Sequence, residues 1–160
     1  MIVLGIDPGY ANLGLSVFDT ETNKVLEGVC VRAGDVNRPH RFAQRVVPLL
    51  EAMHGRNKVE AVALEGFPIF PRNAKGTAGI WAATSTVLGW AACYDMEIKM
   101  QRPIALKQHC AKVLGKPWNR NFMATKAEMG EAVAKITGKA PHKIDHVNDA
   151  TMAAHACYGG

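Results

Sequence analysis

A chain of 160 residues with 48% hydrophobic and 21% charged residues has an ordinary globular balance and length enough to bury a core, which excludes extended disorder and a stapled miniprotein. Four widely spaced cysteines, Cys30, Cys93, Cys110 and Cys157, form no Cys-x-x-Cys pair, which excludes a zinc ribbon and predicts reduced, partly buried thiols. A net charge of +5 suits a polyanionic partner such as nucleic acid.

The segments "MIVLGID", "LGLSVFD" and "KVLEGVCVR" are β-rich and separated by short turns, which predicts a meander of three antiparallel strands. The N-terminal apolar run carries no preceding basic region and is broken by Asp7, so it does not read as a secretory signal, and a cytoplasmic protein is expected. In "RPHRFAQRVVPLLEAMHG", Phe42, Val46, Leu49, Leu50 and Met53 recur at helical spacing up to Gly55, where the helix is expected to stop; Arg38, Arg41 and Arg45 fall on its wetter side. "VEAVALEGF" reads as a buried strand ending at Glu65.

The Ala-rich stretch "AGIWAATSTVLGWAACY" is interrupted by Thr84, Ser85 and Thr86, falls short of a membrane span and reads as a buried helix. "EIKMQRP" is a fifth strand and "PIALKQHCAKVLG" a helix. Thr125 and Glu128 have capping-box spacing at the head of a helix that Gly138 closes, and "IDHVNDATMAAHACYGG" is a last helix stopping at Gly159. With no repeats and no linker, residues 1–160 are expected to form a single α/β domain.

Two acids stand where apolar strands end, Asp7 and Glu65, and an ionised carboxylate at such a place needs a partner or a metal. "DPG" after the first strand would also serve as a plain turn. On the last helix His146 and Asp149 share one face, as do Asp145 and Asp149. Taken singly, Asp145 reads as an N-cap, Asp149 as a lysine's partner and His146 as a surface group. Together with Asp7 and Glu65 they read as a cluster that divalent cations must neutralise, and oxygen-rich ligands point to Mg²⁺ or Mn²⁺. Two such ions about 3.5–4 Å apart clamp a phosphodiester for hydrolysis, which predicts a nuclease.

"GIDPGYANLGLSVFD", "VALEGF" and "DHVNDATMAAHA" resemble, in order and spacing, the RuvC family of Holliday junction resolvases, over nearly the whole chain. The resemblance implies a ribonuclease H-like fold with a five-stranded mixed sheet flanked by helices, three antiparallel N-terminal strands being followed by parallel ones. It also implies a homodimer that cuts four-way DNA junctions by paired symmetric nicks, with two Mg²⁺ ions per site that Mn²⁺ can replace. The family's metal positions fall on Asp7, Glu65, His146 and Asp149. His146 stands where many members carry an acid and some a histidine, and the neighbouring Asp145 is an alternative ligand.

Catalytic lysines are implied at Lys107 and Lys126, and a junction-entering aromatic at Phe67 or Phe70. Arg72 and Lys75 flank that loop, and Lys116 and Arg120 flank Trp118 in "GKPWNRNFMATK"; these are expected DNA contacts. The Ala-rich helix is expected to contribute to the dimer, and no membrane is expected as a partner. Two alternatives stay open: a broader debranching nuclease acting on three-way, forked and flap DNA, as viral members of the family would be, and a ribonuclease H-like RNA-processing nuclease.

Overall fold

A computed structural model describes residues 1–9, 12–32, 39–66, 74–118 and 124–159 of the chain. Strands β1 (Ile2–Pro8), β2 (Asn12–Asp19) and β3 (Lys24–Arg32) pair antiparallel in succession, as the meander pattern requires. Then follow α1 (Pro39–Asn57), β4 (Ala61–Glu65), α2 (Ala74–Cys93), β5 (Glu97–Gln101), α3 (Pro103–Leu114), α4 (Lys126–Thr137) and α5 (Asp145–Tyr158). The sheet order is β3-β2-β1-β4-β5, and β4 lies parallel to both β1 and β5, with α2 as the crossover between β4 and β5. This is the expected mixed five-stranded sheet with flanking helices.

Strand periodicity decides which side chain meets which layer. Leu4, Ile6, Leu13, Leu15, Val17, Val62 and Leu64 pack in one cluster with Phe42, Val46, Leu50 and Met53 of α1 and with Val87 and Trp90 of α2. The alternate residues Val3, Phe18, Ala61 and Ala63 pack on the opposite face against Ala154 of α5. Asp7 and Glu65 have the same parity as Val3 and Ala63, so both acids fall on the α5 side of the sheet.

α5 lies against β1 and β2 at backbone distance. A Cβ at Gly5 would run into the carbonyl of Ala150, and one at Gly14 into the carbonyl of His146. The buried hydroxyls of Ser16 and Thr151 share a hydrogen bond of 2.7 Å in the same interface. The small residues Ala150 and Ala153 on the helix are fully buried, so close approach comes from both sides of the contact.

Two helices differ from their sequence reading. α1 does not stop at Gly55 but runs to Asn57. The Asn57 side chain donates to the carbonyl of Met53 at 3.0 Å, and Lys58 takes the left-handed conformation (φ 56°), donating to His54 O at 2.7 Å. α2 is not a buried helix but one-sided. Ala83, Thr84, Val87, Trp90 and Ala91 are buried while Ser85, Gly89, Ala92 and Cys93 are exposed, and Trp81 is 48% exposed. The cysteines form no disulfide; Cys110 is buried, Cys30 and Cys157 half-buried, and Cys93 exposed rather than partly buried. No helix among the described residues is long and apolar enough to cross a membrane.

Candidate metal centre

Asp7 is placed by a rigid element, the next-to-last residue of β1, opposite Gly14 of β2. Because Gly14 lets the first turn of α5 lie directly on the sheet, His146 reaches Asp7: its Nδ1 is 2.6 Å from Asp7 Oδ2. Asp149, one turn further along α5, joins them, and one ligand atom from each of the three residues lies within 4.8 Å of the others. The side chains of Asp7 and His146 are 14% and 28% exposed, so the group sits at the floor of an opening rather than on the surface.

Glu65 ends β4. The parallel pairing of β1 with β4 runs through Ile6 and Leu64, so Asp7 and Glu65 follow as the next residues of the two strands. Glu65 is not within the three-residue group but lines, together with its member Asp149, a cavity of about 170 Å³. The other walls include Lys107 of α3 and Thr125 and Lys126 at the head of α4. Thr125 holds that head in place through a capping box, its hydroxyl accepting from Glu128 N at 3.2 Å while Glu128 accepts from Thr125 N at 2.9 Å.

The carboxyls behave as a charge-starved cluster. Burial, then the charges of Asp7 and Asp149, pushes Glu65 up to about 7, with Lys107 pulling the other way. Burial and the Asp7 charge push Asp149 up to about 6. Asp7 is also raised, since burial outweighs its bond to His146 and the charges of His146 and Lys126. Glu65 and Asp149, raised by burial first and by neighbouring carboxylates second, suit a cation. The donor set, carboxylate oxygens and one imidazole nitrogen, fits a divalent ion of the Mg²⁺ or Mn²⁺ type.

The remaining candidates fall in different places. Asp145 is not the N-cap of α5; Ile144 holds that position in extended conformation, and Asp145 is the first helical residue, its Oδ2 3.1 Å from Lys126 Nζ. Asp145 lies outside the three-residue group. Lys116 is tied to Glu128 at 2.7 Å, and Trp118 is 36% exposed. Phe67, Phe70, Arg72 and Arg120 lie outside the described residues; Lys75 is on the first turn of α2, with its side chain outside what is described.

Two polar residues at the centre escaped the sequence reading. Asn12, at the start of β2, places its side-chain amide 3.4 Å from His146 Nε2. Asn148, buried on α5, accepts from His142 N and donates to His142 O, both at 2.9 Å, and so clamps the approach to the helix that carries His146 and Asp149. Asn12 sits inside the "GYANLG" motif and was open to suspicion there. Nothing in the sequence marked Asn148, whose partners are main-chain atoms.

No protein-family model matches the chain. It is 30% identical over 111 residues to the crossover junction endodeoxyribonuclease RuvC of Syntrophomonas wolfei, covering 68% of this chain and 63% of that protein. It is 26% identical over 159 residues to the corresponding protein of Carboxydothermus hydrogenoformans, covering 98% and 94%. The matched segment thus spans less than two thirds of the first relative and nearly all of the second. Among solved structures, T. thermophilus RuvC in complex with Holliday junction substrate superimposes with a TM-score of 0.78 at 25% identity, covering 98% of this chain and 92% of that one.

Proposed function

The chain belongs to the RuvC family of Holliday junction resolvases, and on that footing we propose that it is a structure-selective DNA endonuclease resolving four-way junctions by paired symmetric nicks. The observation that supports this is that Asp149 belongs both to a ligand group with Asp7 and His146 and to the lining of a cavity shared with Glu65, Lys107 and Lys126. Buried acids at the ends of two core strands, with Glu65 raised to about 7 and Asp7 raised as well, are the pattern of a functional site.

Asp7, His146 and Asp149 form the tighter ligand set, and Glu65 offers a carboxylate from the next strand; together they are suited to a pair of Mg²⁺ ions, with Mn²⁺ as substitute. When bound, such ions supply charge neutralisation and Lewis acidity for phosphodiester hydrolysis. Asp7 and Glu65 are fixed by the sheet and therefore hold their oxygens without reorganisation, while α5 brings the other two ligands down onto them. Lys107 and Lys126 place positive charge on the wall that a phosphate would face. The net charge of +5 favours the approach of DNA as a whole.

A homodimer is part of this proposal. The exposed face of α2, with Trp81 among the small residues Ala78, Ser85 and Gly89, suits a close symmetric contact between two copies. Two sites related by a two-fold axis account for symmetric nicks, and a cytoplasmic location is part of the same proposal.

Junction binding and cutting separate the parts of the proposal. Asp149→Asn is expected to retain four-way junction binding in a gel-shift assay while losing cleavage with Mg²⁺. A wild type that cuts three-way and forked DNA as fast as four-way DNA would instead make it a general debranching nuclease.

A further inference from the structure

Lys126 opens α4 and Asp145 opens α5, and their side chains meet with Nζ 3.1 Å from Oδ2. The pair is well exposed, 71% and 46%, so it adds little to stability and its value has to be sought in geometry. The same lysine lines the cavity together with Glu65 and Asp149, and its charge acts on both Asp7 and Asp149. A strongly charged ammonium on a flexible stem, placed beside three carboxylates, is drawn into them unless something holds it elsewhere. The backbone of Lys126 is already fixed by the Thr125–Glu128 capping box, leaving only the stem to be restrained. Asp145 is next in sequence to His146 yet lies outside the three-residue group, and its partner is the lysine.

We infer that Asp145 is a positioning residue acting through Lys126: it holds the ammonium at the rim of the opening, facing an incoming phosphate, and keeps it out of the space between Asp7, Glu65 and Asp149. This rests on the nuclease reading of the same site. It also gives Asp145 a task other than metal ligation. Loss of the Asp145 carboxylate releases the lysine to compete with metal and leaves the phosphate without its partner at the correct distance.

The test combines a double-mutant cycle with a labelling experiment. At saturating metal and junction, Asp145→Asn is expected to lower kcat about tenfold with little change in KM, Asp145→Glu to recover most of that loss, and Asp145→Asn to have no further effect in a Lys126→Ala background. In the metal-free, DNA-free protein, acetylation of Lys126, followed by mass spectrometry, is expected to run several-fold slower in Asp145→Asn than in wild type, because the released ammonium is then held among the carboxylates of Asp7, Glu65 and Asp149. Full additivity of the two substitutions, or unchanged Lys126 labelling, would overturn the inference, as would a loss of Mn²⁺ affinity in Asp145→Asn as large as that in Asp149→Asn. The labelling arm does not depend on turnover. A wild type that cuts no DNA would therefore refute the nuclease reading and leave the Asp145–Lys126 contact independently measured.

Discussion

His146 Nδ1 and Asp7 Oδ2 lie 2.6 Å apart although 139 residues separate them in the chain. The contact exists because α5 rests on β1 and β2 with no side chain between, at Gly5 and Gly14. The meeting of Asp7 and His146 is thus a consequence of a packing distance. Lifting α5 from the sheet parts them.

Gly14→Ala tests this directly. The added methyl would collide with the His146 carbonyl, so α5 must shift, at a cost of about 1–3 kcal/mol as for overpacked cores. The variant is expected to melt lower, and millimolar Mn²⁺ is expected to raise the melting temperature of wild type while leaving the variant's unchanged. An undiminished Mn²⁺ effect would show that the close approach is not what builds the site.

Proton linkage gives a second prediction. Folded Asp149 ionises near pH 6 instead of 3.8 because of burial first and the Asp7 charge next. A raised acid binds its proton more tightly folded than unfolded, so it costs stability as pH rises from about 4 to 6 and by a constant amount above. Glu65, raised from 4.5 to about 7, acts in the same direction. His155, lowered from 6.5 to about 4 by burial and then by His109, acts oppositely, costing stability as pH falls through that range. The wild-type curve mixes all three, and because the Asp149 charge also raises Glu65, its difference from Asp149→Asn reports these two coupled acids together. Without metal at pH 8 the Asn variant is expected to be more stable by about 1–3 kcal/mol, the gap closing near pH 4. Saturating Mg²⁺ should reverse the order. Chemical denaturation at three pH values checks this.

Asn148 offers a third. Its two bonds to the main chain of His142 tie the segment before α5 to the helix, whose N-cap Ile144 makes no side-chain hydrogen bond of its own. Asn148→Ala is expected to cost about 1–3 kcal/mol in urea unfolding, and Asn148→Asp to be destabilising as well because a carboxylate cannot donate to the His142 carbonyl. Stability equal to wild type in both variants would remove the clamp from this account.

The proposed ligand set makes the His146 imidazole the group expected to set metal choice. His146→Asp is expected to keep cleavage with Mg²⁺ and to lower the ratio of Mn²⁺-supported to Mg²⁺-supported rate, since nitrogen is the softer donor. His146→Ala is expected to lose at least tenfold with either ion. Initial rates on a four-way junction with each metal decide the matter.

Much of this was legible in the sequence for identifiable reasons. Strand alternation around Leu4 and Ile6, the Thr125–Glu128 box and the three-residue spacing of His146 and Asp149 are local signals, and the structure keeps each of them. Local signals misled where a side chain from elsewhere intervened. Gly55 looked like a helix stop, but Asn57 and Lys58 carry α1 past it. The Ala-rich stretch looked buried on all sides because small residues give no polar face, yet Trp81 stands out from it. Between Asp145 and His146, the three-residue spacing to Asp149 favours His146, and the structure sets His146 against Asp7 and Asp145 against Lys126 of another helix.

The most direct test of the central claim is cleavage of end-labelled four-way, three-way and linear duplex DNA by wild type and Asp7→Asn, with Mg²⁺ and with chelator. The account predicts paired nicks at symmetric positions in the four-way junction, sealable by ligase, and abolished by chelator and by Asp7→Asn. Failure of the wild type to cut any branched DNA in the presence of Mg²⁺ or Mn²⁺, or undiminished cutting by Asp7→Asn, would contradict it.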